Sequence, residues 1–184
     1  MDFNEHWRLE GKHAFLSPSQ YHWVNYTPEK LKDRYYNSEA TKRGTALHAY
    51  AASAIKLNRK QPKGKNEDTV SMFINDAIGY SMTPEQPLYY SEYCFGTADA
   101  ISFWKKKLRI HDLKTGSSPA SITQLQIYAA LFCLEYNFKP EDISIELRIY
   151  QSGECFKDEP EASDIRAIMD KIIEFDQLLS TLDS

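Results

Sequence analysis

The chain has 184 residues, of which 42% are hydrophobic and 26% charged, and its formal net charge is −4. These values are those of an ordinary globular protein that is long enough to bury a core of its own. The negative charge argues against a protein that coats nucleic acid, although local fields decide what a small site binds. No segment approaches the roughly 18 apolar residues that a membrane helix needs.

The compartment is predicted from the N-terminal residues and the cysteines. The opening stretch MDFNEHWRLEGKHAF has no apolar centre, so it is not expected to act as a signal peptide. Cys94, Cys133 and Cys155 are widely spaced and form no CxxC pair. We therefore expect reduced thiols in a cytoplasm. Three cysteines are also too few to hold an iron–sulfur cluster that is ligated by four thiolates.

The first half of the chain is predicted to be helical. Ser17 is expected to cap a helix whose first residue is Pro18 and which ends before Thr27. A second short helix is expected to follow through Tyr35. Apolar periodicity predicts two further helices, with a Pro/Gly/Lys-rich loop at 61–66 between them. Those two helices are expected over 44–57 and 67–80.

The amino-acid composition of the second half is typical of β-strands. Three stretches rich in Tyr, Phe, Ile and Trp predict consecutive strands over 87–95, 97–104 and 107–113. The residues Lys105 and Lys106 are expected to form a tight turn between the last two strands. A helix, a strand and a closing helix are predicted next, over 121–137, 143–150 and 162–181. The sequence thus predicts one α/β domain over 1–184, with a helical part at 17–82 and a β-β-β-α-β-α core at 87–181.

Two acidic residues are expected to meet where the second and third strands pair. Asp112 and Lys114 are two residues apart in a strand and therefore share a face. If 97–104 and 107–113 form a hairpin, Asp99 lies close to Asp112. A divalent cation would remove the repulsion between the two carboxylates, and the Lys114 ammonium could act on a water or a phosphate beside it. The alternative is an ordinary ion pair on a solvated sheet.

These residues occur in the order of a known family. The segment Gly96-Thr97-Ala98-Asp99 followed by Asp112-Leu113-Lys114 resembles the core of the PD-(D/E)XK nuclease superfamily, and more narrowly its RecB-type exonuclease branch, which includes CRISPR adaptation nucleases and phage recombination exonucleases. Three further matches, spread over about 17–150, are a G-x-x-x-H segment, a Q-x-x-x-Y segment and an SPS opening with an aromatic residue. They are Gly44 with His48, Gln124 with Tyr128, and Ser17-Pro18-Ser19 with Tyr21 and Trp23.

The resemblance implies a fold, a reaction and a site. The fold would be a mixed central sheet flanked by helices, with a restriction-endonuclease-like core. The reaction would be metal-dependent hydrolysis of DNA, as an exonuclease that leaves a 5′-phosphate. Mg²⁺ or Mn²⁺ would be held by the side chains of Asp99, Asp112 and His48 and by the Leu113 carbonyl.

The resemblance also assigns roles outside the metal shell. Lys114 would activate the attacking water, and Gln124 and Tyr128 would orient Lys114 or touch the DNA backbone. The alternative for His48 is a polar residue on a partly buried helix face. Gln124 and Tyr128 would then be ordinary residues of an amphipathic helix.

Four further residues are candidates with plain alternatives. Glu92, expected on the strand before Asp99, could contact the metal or a water, or could be a surface glutamate. Thr115 and Ser117, which follow the catalytic strand, could bind a DNA phosphate or simply form a strand-to-helix loop. Tyr21 could stack on an unpaired base or could pack within its own helix.

The partners follow from the same resemblance and from two departures. The chain lacks the cysteine quartet of the cluster-containing relatives, so no iron–sulfur cluster is expected, and it carries no helicase domain. DNA, as a single strand or a duplex end, is the expected substrate. A homo-oligomer or a recombination or replication protein is a possible partner, in the cytoplasm of a bacterial host if the protein is phage-encoded. The alternatives are a non-catalytic adaptor of nuclease fold that binds nucleic acid or protein, and an unrelated metal-binding or hydrolytic α/β protein.

Overall fold

A computed structural model of the protein describes residues 14–62, 68–116 and 120–182, without the side chains of 19–21. It contains four α-helices and five strands within those ranges, and two short 3₁₀ helices at Pro18–Asn25 and Pro140–Asp142. The helices are α1 (Pro28–Lys56), α2 (Thr69–Gly79), α3 (Thr123–Glu135) and α4 (Ala162–Leu182). The strands are β1 (Thr83–Ser91), β2 (Cys94–Trp104), β3 (Lys107–Lys114), β4 (Ser144–Gln151) and β5 (Glu154–Asp158).

The five strands form one mixed sheet in the order β1-β2-β3-β4-β5. The first three strands are an antiparallel meander, β3 and β4 are parallel, and β5 is antiparallel to β4. Helix α3 makes the crossover that a parallel pair requires. The expectation of a mixed α/β sheet flanked by helices is therefore confirmed.

Apolar side chains are buried on both faces of the sheet. On one face, α3 and α4 cover a core that includes Leu108, Ile110 and Leu147. On the other face, α2 and the last turns of α1 cover a smaller core that includes Leu113 and Tyr150. Successive residues of β3 thus alternate between two cores, as the two-residue period of a strand requires. Strand β3 consequently lies at the centre of the sheet.

The helices differ in extent from their prediction. The second and third predicted helices are one continuous helix, α1, because the residues between them include no proline and favour helix. Helix α2 begins after Asp68, whose carboxylate caps it by accepting a hydrogen bond from the Ser71 N–H at 2.9 Å. The helix that begins at Pro18 is a 3₁₀ helix. Helices α3 and α4 confirm the predicted ones to within a few residues.

The strands also differ in their limits. The tight turn at Lys105 and Lys106 is confirmed, and both residues have positive φ, 49° and 62°. The first strand was placed four residues too late, because the chain turns at Glu92 and Tyr93 and β2 begins at Cys94. Strand β5 was missed entirely. It follows a two-residue turn in which Ser152 and Gly153 have positive φ, 54° and 80°.

Contacts between Cα atoms divide the chain into two units, one ending at Arg43 and one beginning at Gly44. In the first unit, the indole of Trp23 donates a hydrogen bond to the Ser17 carbonyl oxygen at 3.0 Å. Phe15 and Tyr35 also pack there edge to face, with ring centroids 5.6 Å apart. The second unit contains the sheet and both cores. One domain over 1–184 stays a prediction. No helix in the described ranges has the length and apolar character needed to cross a membrane.

Candidate metal centre

The site begins where the backbone pairing of β2 and β3 stops. The last paired residues in that direction are Ala100 and His111. One residue farther, the Asp99 carboxylate takes the place of a backbone acceptor, because its Oδ2 accepts a hydrogen bond from the Leu113 N–H at 2.8 Å. The N–H and C=O of one strand residue face the same neighbouring strand, so the Leu113 carbonyl also faces β2. The structure thus places the Leu113 backbone against Asp99, and Asp112 is the preceding residue of β3.

Asp112 is buried beside the ammonium of Lys114. Its side chain is almost fully enclosed, and its Oδ1 accepts a hydrogen bond from Lys114 Nζ at 3.2 Å. Its Oδ2 lies 3.0 Å from the same nitrogen but outside hydrogen-bonding angles, so this oxygen is buried without a hydrogen bond from any described residue. Lys114 Nζ also donates to Gln124 Oε1 at 2.9 Å. The prediction that Gln124 positions Lys114 therefore agrees with the contacts.

Helix α1 delivers His48 to the same carboxylate. His48 Nδ1 lies 3.4 Å from Asp99 Oδ2, and its ring is half-buried. One turn earlier, a Cβ at Gly44 would lie 2.8 Å from Thr115 Oγ1. The missing side chain of Gly44 lets α1 approach the end of β3 closely. This approach explains why a glycine precedes His48 by four residues.

Glu85 is a member of the site that sequence reasoning missed. The pairs on either side of it, Pro84 with Ala100 and Gln86 with Ala98, place Glu85 directly across from Asp99. Oxygen atoms of Glu85 and Asp99 and a ring nitrogen of His48 all lie within 4.8 Å of one another, a spacing that a metal ion can bridge. The Glu85 backbone has φ of 51°, which is unusual for a glutamate.

The negative charge of Asp99 contributes to the raised pKa of three neighbouring groups. Burial is the main cause that raises the pKa of Asp112, and the charge of Asp99 adds to it. The pKa of Glu85 is raised for the same two reasons in the same order. The pKa of His48 is raised chiefly by its hydrogen bond to Asp99. The charge of Asp99 contributes to all three shifts, and a divalent cation held among these groups would offset that charge.

One predicted residue lies away from the site. Glu92 is exposed in the turn after β1, where its Oε1 accepts a hydrogen bond from the Tyr89 hydroxyl at 3.3 Å. Glu85 lies near the other end of β1, roughly 20 Å away at the rise of an extended strand. The placement of Glu92 on the strand before Asp99 was wrong, because the strand was started too late.

The remaining candidates occupy several places. The ring of Tyr128 packs over Gly96, where a Cβ would lie 2.9 Å from its Cε1 atom. A role for Tyr128 at DNA stays a prediction. Thr115 is exposed at the end of β3 beside Gly44. Ser117 and the side chain of Tyr21 lie outside the described residues.

A pocket adjoins the far side of Lys114. It has a volume of about 370 Å³ and opens at the ends of β3 and β4. Its walls include Leu47, Leu113 and Val70 as apolar members and Lys114 as the cation. The site therefore has an accessible side.

Comparison with protein-family models, with curated protein sequences and with solved structures finds no match for this chain.

Proposed function

We propose that the protein is a metal-dependent deoxyribonuclease with a restriction-endonuclease-like core, acting as an exonuclease on DNA. The observation that carries the proposal is the position of Asp99. Its carboxylate contacts His48 and the Leu113 N–H, lies across from Glu85, and is next to the Asp112–Lys114 pair. Two carboxylates and an imidazole, from Glu85, Asp99 and His48, converge within 4.8 Å of one another, and the Asp112–Lys114 pair adjoins them.

The donor set fits Mg²⁺ or Mn²⁺. Hard divalent cations take carboxylate and carbonyl oxygens, and Mn²⁺ accepts imidazole better than Mg²⁺ does. His48, Glu85, Asp99 and Asp112 would hold the ion together with the Leu113 carbonyl. The buried Oδ2 of Asp112, which no described residue hydrogen-bonds, is a ligand atom available for it. When bound, such an ion acts as a Lewis acid toward a phosphate and lowers the pKa of a water.

The protein's own groups perform the rest of the chemistry. Lys114 Nζ is fixed between Asp112 and Gln124, at 3.2 Å and 2.9 Å, so its direction is set before substrate arrives. An ammonium fixed there can orient the attacking water and neutralise charge that develops on the phosphate. Burial of Asp112 reduces screening by bulk water and strengthens these interactions.

The experiment uses end-labelled linear and circular DNA, single- and double-stranded, with Mg²⁺, Mn²⁺ or EDTA. We expect cleavage of linear substrates with either metal and none with EDTA. The variants Asp99→Asn, Asp112→Asn and Glu85→Gln should lose cleavage, while Glu92→Gln makes the same chemical change outside the site and should retain it. Cleavage of circular as well as linear DNA would show that the protein is an endonuclease and not an exonuclease. A folded protein that is inert on every substrate would favour the non-catalytic adaptor.

A further inference from the structure

The hairpin end of β2 and β3 presents an exposed indole among lysines. Trp104 is 70% exposed, although tryptophan is usually buried against other residues. It pairs with Lys107 across the hairpin, and Lys105 and Lys106 form the turn between them. We call Trp104–Lys107 the hairpin tip.

The two turn lysines adopt a backbone conformation that lysine disfavours. Their φ angles of 49° and 62° are those of a turn that Asn-Gly ordinarily occupies. Both side chains are exposed, and neither forms an ion pair with any residue in the described part of the chain. Two free ammonium groups therefore stand at a position where local preference favours other residues.

More positive charge lies on the same face of the sheet. Lys107 Nζ lies 2.8 Å from Glu146 Oε2, and Arg109 Nε lies 3.4 Å from Glu146 Oε1. The guanidinium of Arg148 contacts the same carboxylate at 3.0 Å. Glu146 contacts all three cations, and Asp76 Oδ2 also pairs with Arg148 at 3.0 Å, so these five side chains keep a net charge of +1. The hairpin tip thus continues into a positively charged face on a chain whose net charge is −4.

The hairpin tip is separate from the metal centre. Asp99 and Trp104 are five residues apart on β2, which is about 17 Å at the rise of a strand. A molecule bound at the tip contacts neither His48 nor Lys114.

We propose that the hairpin tip binds a single strand of nucleic acid, with one base stacked on Trp104 and phosphates contacting Lys105 and Lys106. An exposed indole offers a flat face to an unpaired base, and free ammonium groups beside it suit the phosphates on either side. A duplex keeps its bases stacked inside and cannot use the indole. The inference goes beyond the proposed function, because binding here needs neither a metal nor Lys114.

The test measures fluorescence anisotropy of a labelled oligothymidylate with the full chain in EDTA, which prevents cleavage. The variant Lys105→Asn/Lys106→Gly removes both charges and installs the residues that the turn prefers, so the hairpin should form at least as well. We expect weaker binding. The slope of log affinity against log salt concentration should also become shallower by about 1.4, since each phosphate contact on a single strand contributes roughly 0.7. Trp104→Ala should weaken binding about tenfold, the scale of one stacked base.

A second double variant controls for net charge. Lys42→Gln/Lys171→Gln removes two exposed lysines elsewhere and should leave the affinity within about twofold of the parent. Equal losses of affinity in the two double variants would overturn the proposal, because the net charge of the protein alone would then explain binding. Parent protein that fails to bind the oligonucleotide would overturn it too. Cleavage by the parent with Mn²⁺, scored separately, tests the metal centre, so the two proposals fail independently.

Discussion

The Asp99 carboxylate accepts a hydrogen bond from the main-chain N–H of Leu113, with Oδ2 and N 2.8 Å apart. The Asp99 side chain here takes the place of a backbone carbonyl in the hydrogen bonding between β2 and β3. The position of Asp99 is therefore tied to the backbone that connects Asp112 with Lys114. Changes at Asp99 affect the metal centre and the end of the sheet together, so isosteric variants are the informative ones.

Lys114→Met should lower kcat by about 10²–10⁴-fold, because it removes the only ammonium beside Asp112 among the described residues. Gln124→Ala should cost less, about tenfold, since it loosens Lys114 without removing it. Rates of DNA cleavage at saturating Mn²⁺ measure both effects. Gln126→Ala, on the same helix, is the matched control and should leave kcat unchanged. A fully active Lys114→Met protein would contradict the assigned role of Lys114.

Divalent cations should stabilise the protein against unfolding. A ligand present at about 100 times its Kd adds about 2.7 kcal/mol to the free energy of unfolding, which raises Tm by several degrees. Thermal unfolding with Mn²⁺ and with EDTA measures this shift. Glu85→Gln should remove most of it, whereas Glu92→Gln should keep it. If both glutamine variants respond to Mn²⁺ like the parent, Glu85 is not a ligand.

Gly96→Ala should destabilise the fold by about 1–2 kcal/mol, because the new Cβ would lie 2.9 Å from Cε1 of Tyr128. Urea unfolding measures the cost. In a Tyr128→Ala background the same substitution should cost much less, since the ring is gone. Gly79→Ala is the matched control, because a Cβ there has no atom within 4 Å. Equal costs of Gly96→Ala with and without Tyr128 would show that the ring does not constrain this position.

Stability should fall in acid through Glu146. Burial alone would raise its pKa, but the hydrogen bond from Lys107 and the charges of Arg148, Lys107 and Lys157 outweigh burial and lower the pKa from 4.5 to about 2. A carboxyl whose folded pKa is depressed stabilises the fold above its unfolded pKa. That stabilisation is lost as pH falls from about 4.5 to about 2.

Protonation of Glu146 should lower the free energy of unfolding by about 2 kcal/mol, allowing for screening of the partly exposed lysines. Urea unfolding at a series of pH values measures it. Glu146→Gln should lower stability at pH 7 and flatten the profile between pH 4.5 and 2. Glu154→Gln changes an exposed glutamate of β5 and should keep the parent profile. A steep acid profile in Glu146→Gln would assign the effect to other groups.

The sequence predicted the parts of the site that depend on local spacing. Asp112 and Lys114 share a face because strands alternate, and Asp99 joins them because Lys105 and Lys106 close a two-residue turn. Gln124 was placed on a helix and contacts Lys114. Each of these relations needs only a periodicity and one turn.

Glu85 could not be found in the same way. Pro84 and Pro87 flank it, and proline in a sheet is confined to edge strands, bulges and the first residue of a strand, so the predicted strand began at residue 87. The turn at Glu92 and Tyr93 contains neither glycine nor proline, which hid the true end of β1. Tertiary pairing with β2 overrides these local preferences, and a single chain carries no local signal for it.

The antiparallel meander that places Glu85, Asp99 and Asp112 side by side has a kinetic consequence. Its strands are joined by two-residue turns, so these contacts are close in sequence and can form early, whereas the parallel β3–β4 pair must wait for its long crossover. The mutual repulsion of the three carboxylates then raises the free energy of the folding transition state as well as that of the native state. A cation that relieves this repulsion in both states would accelerate refolding in addition to slowing unfolding.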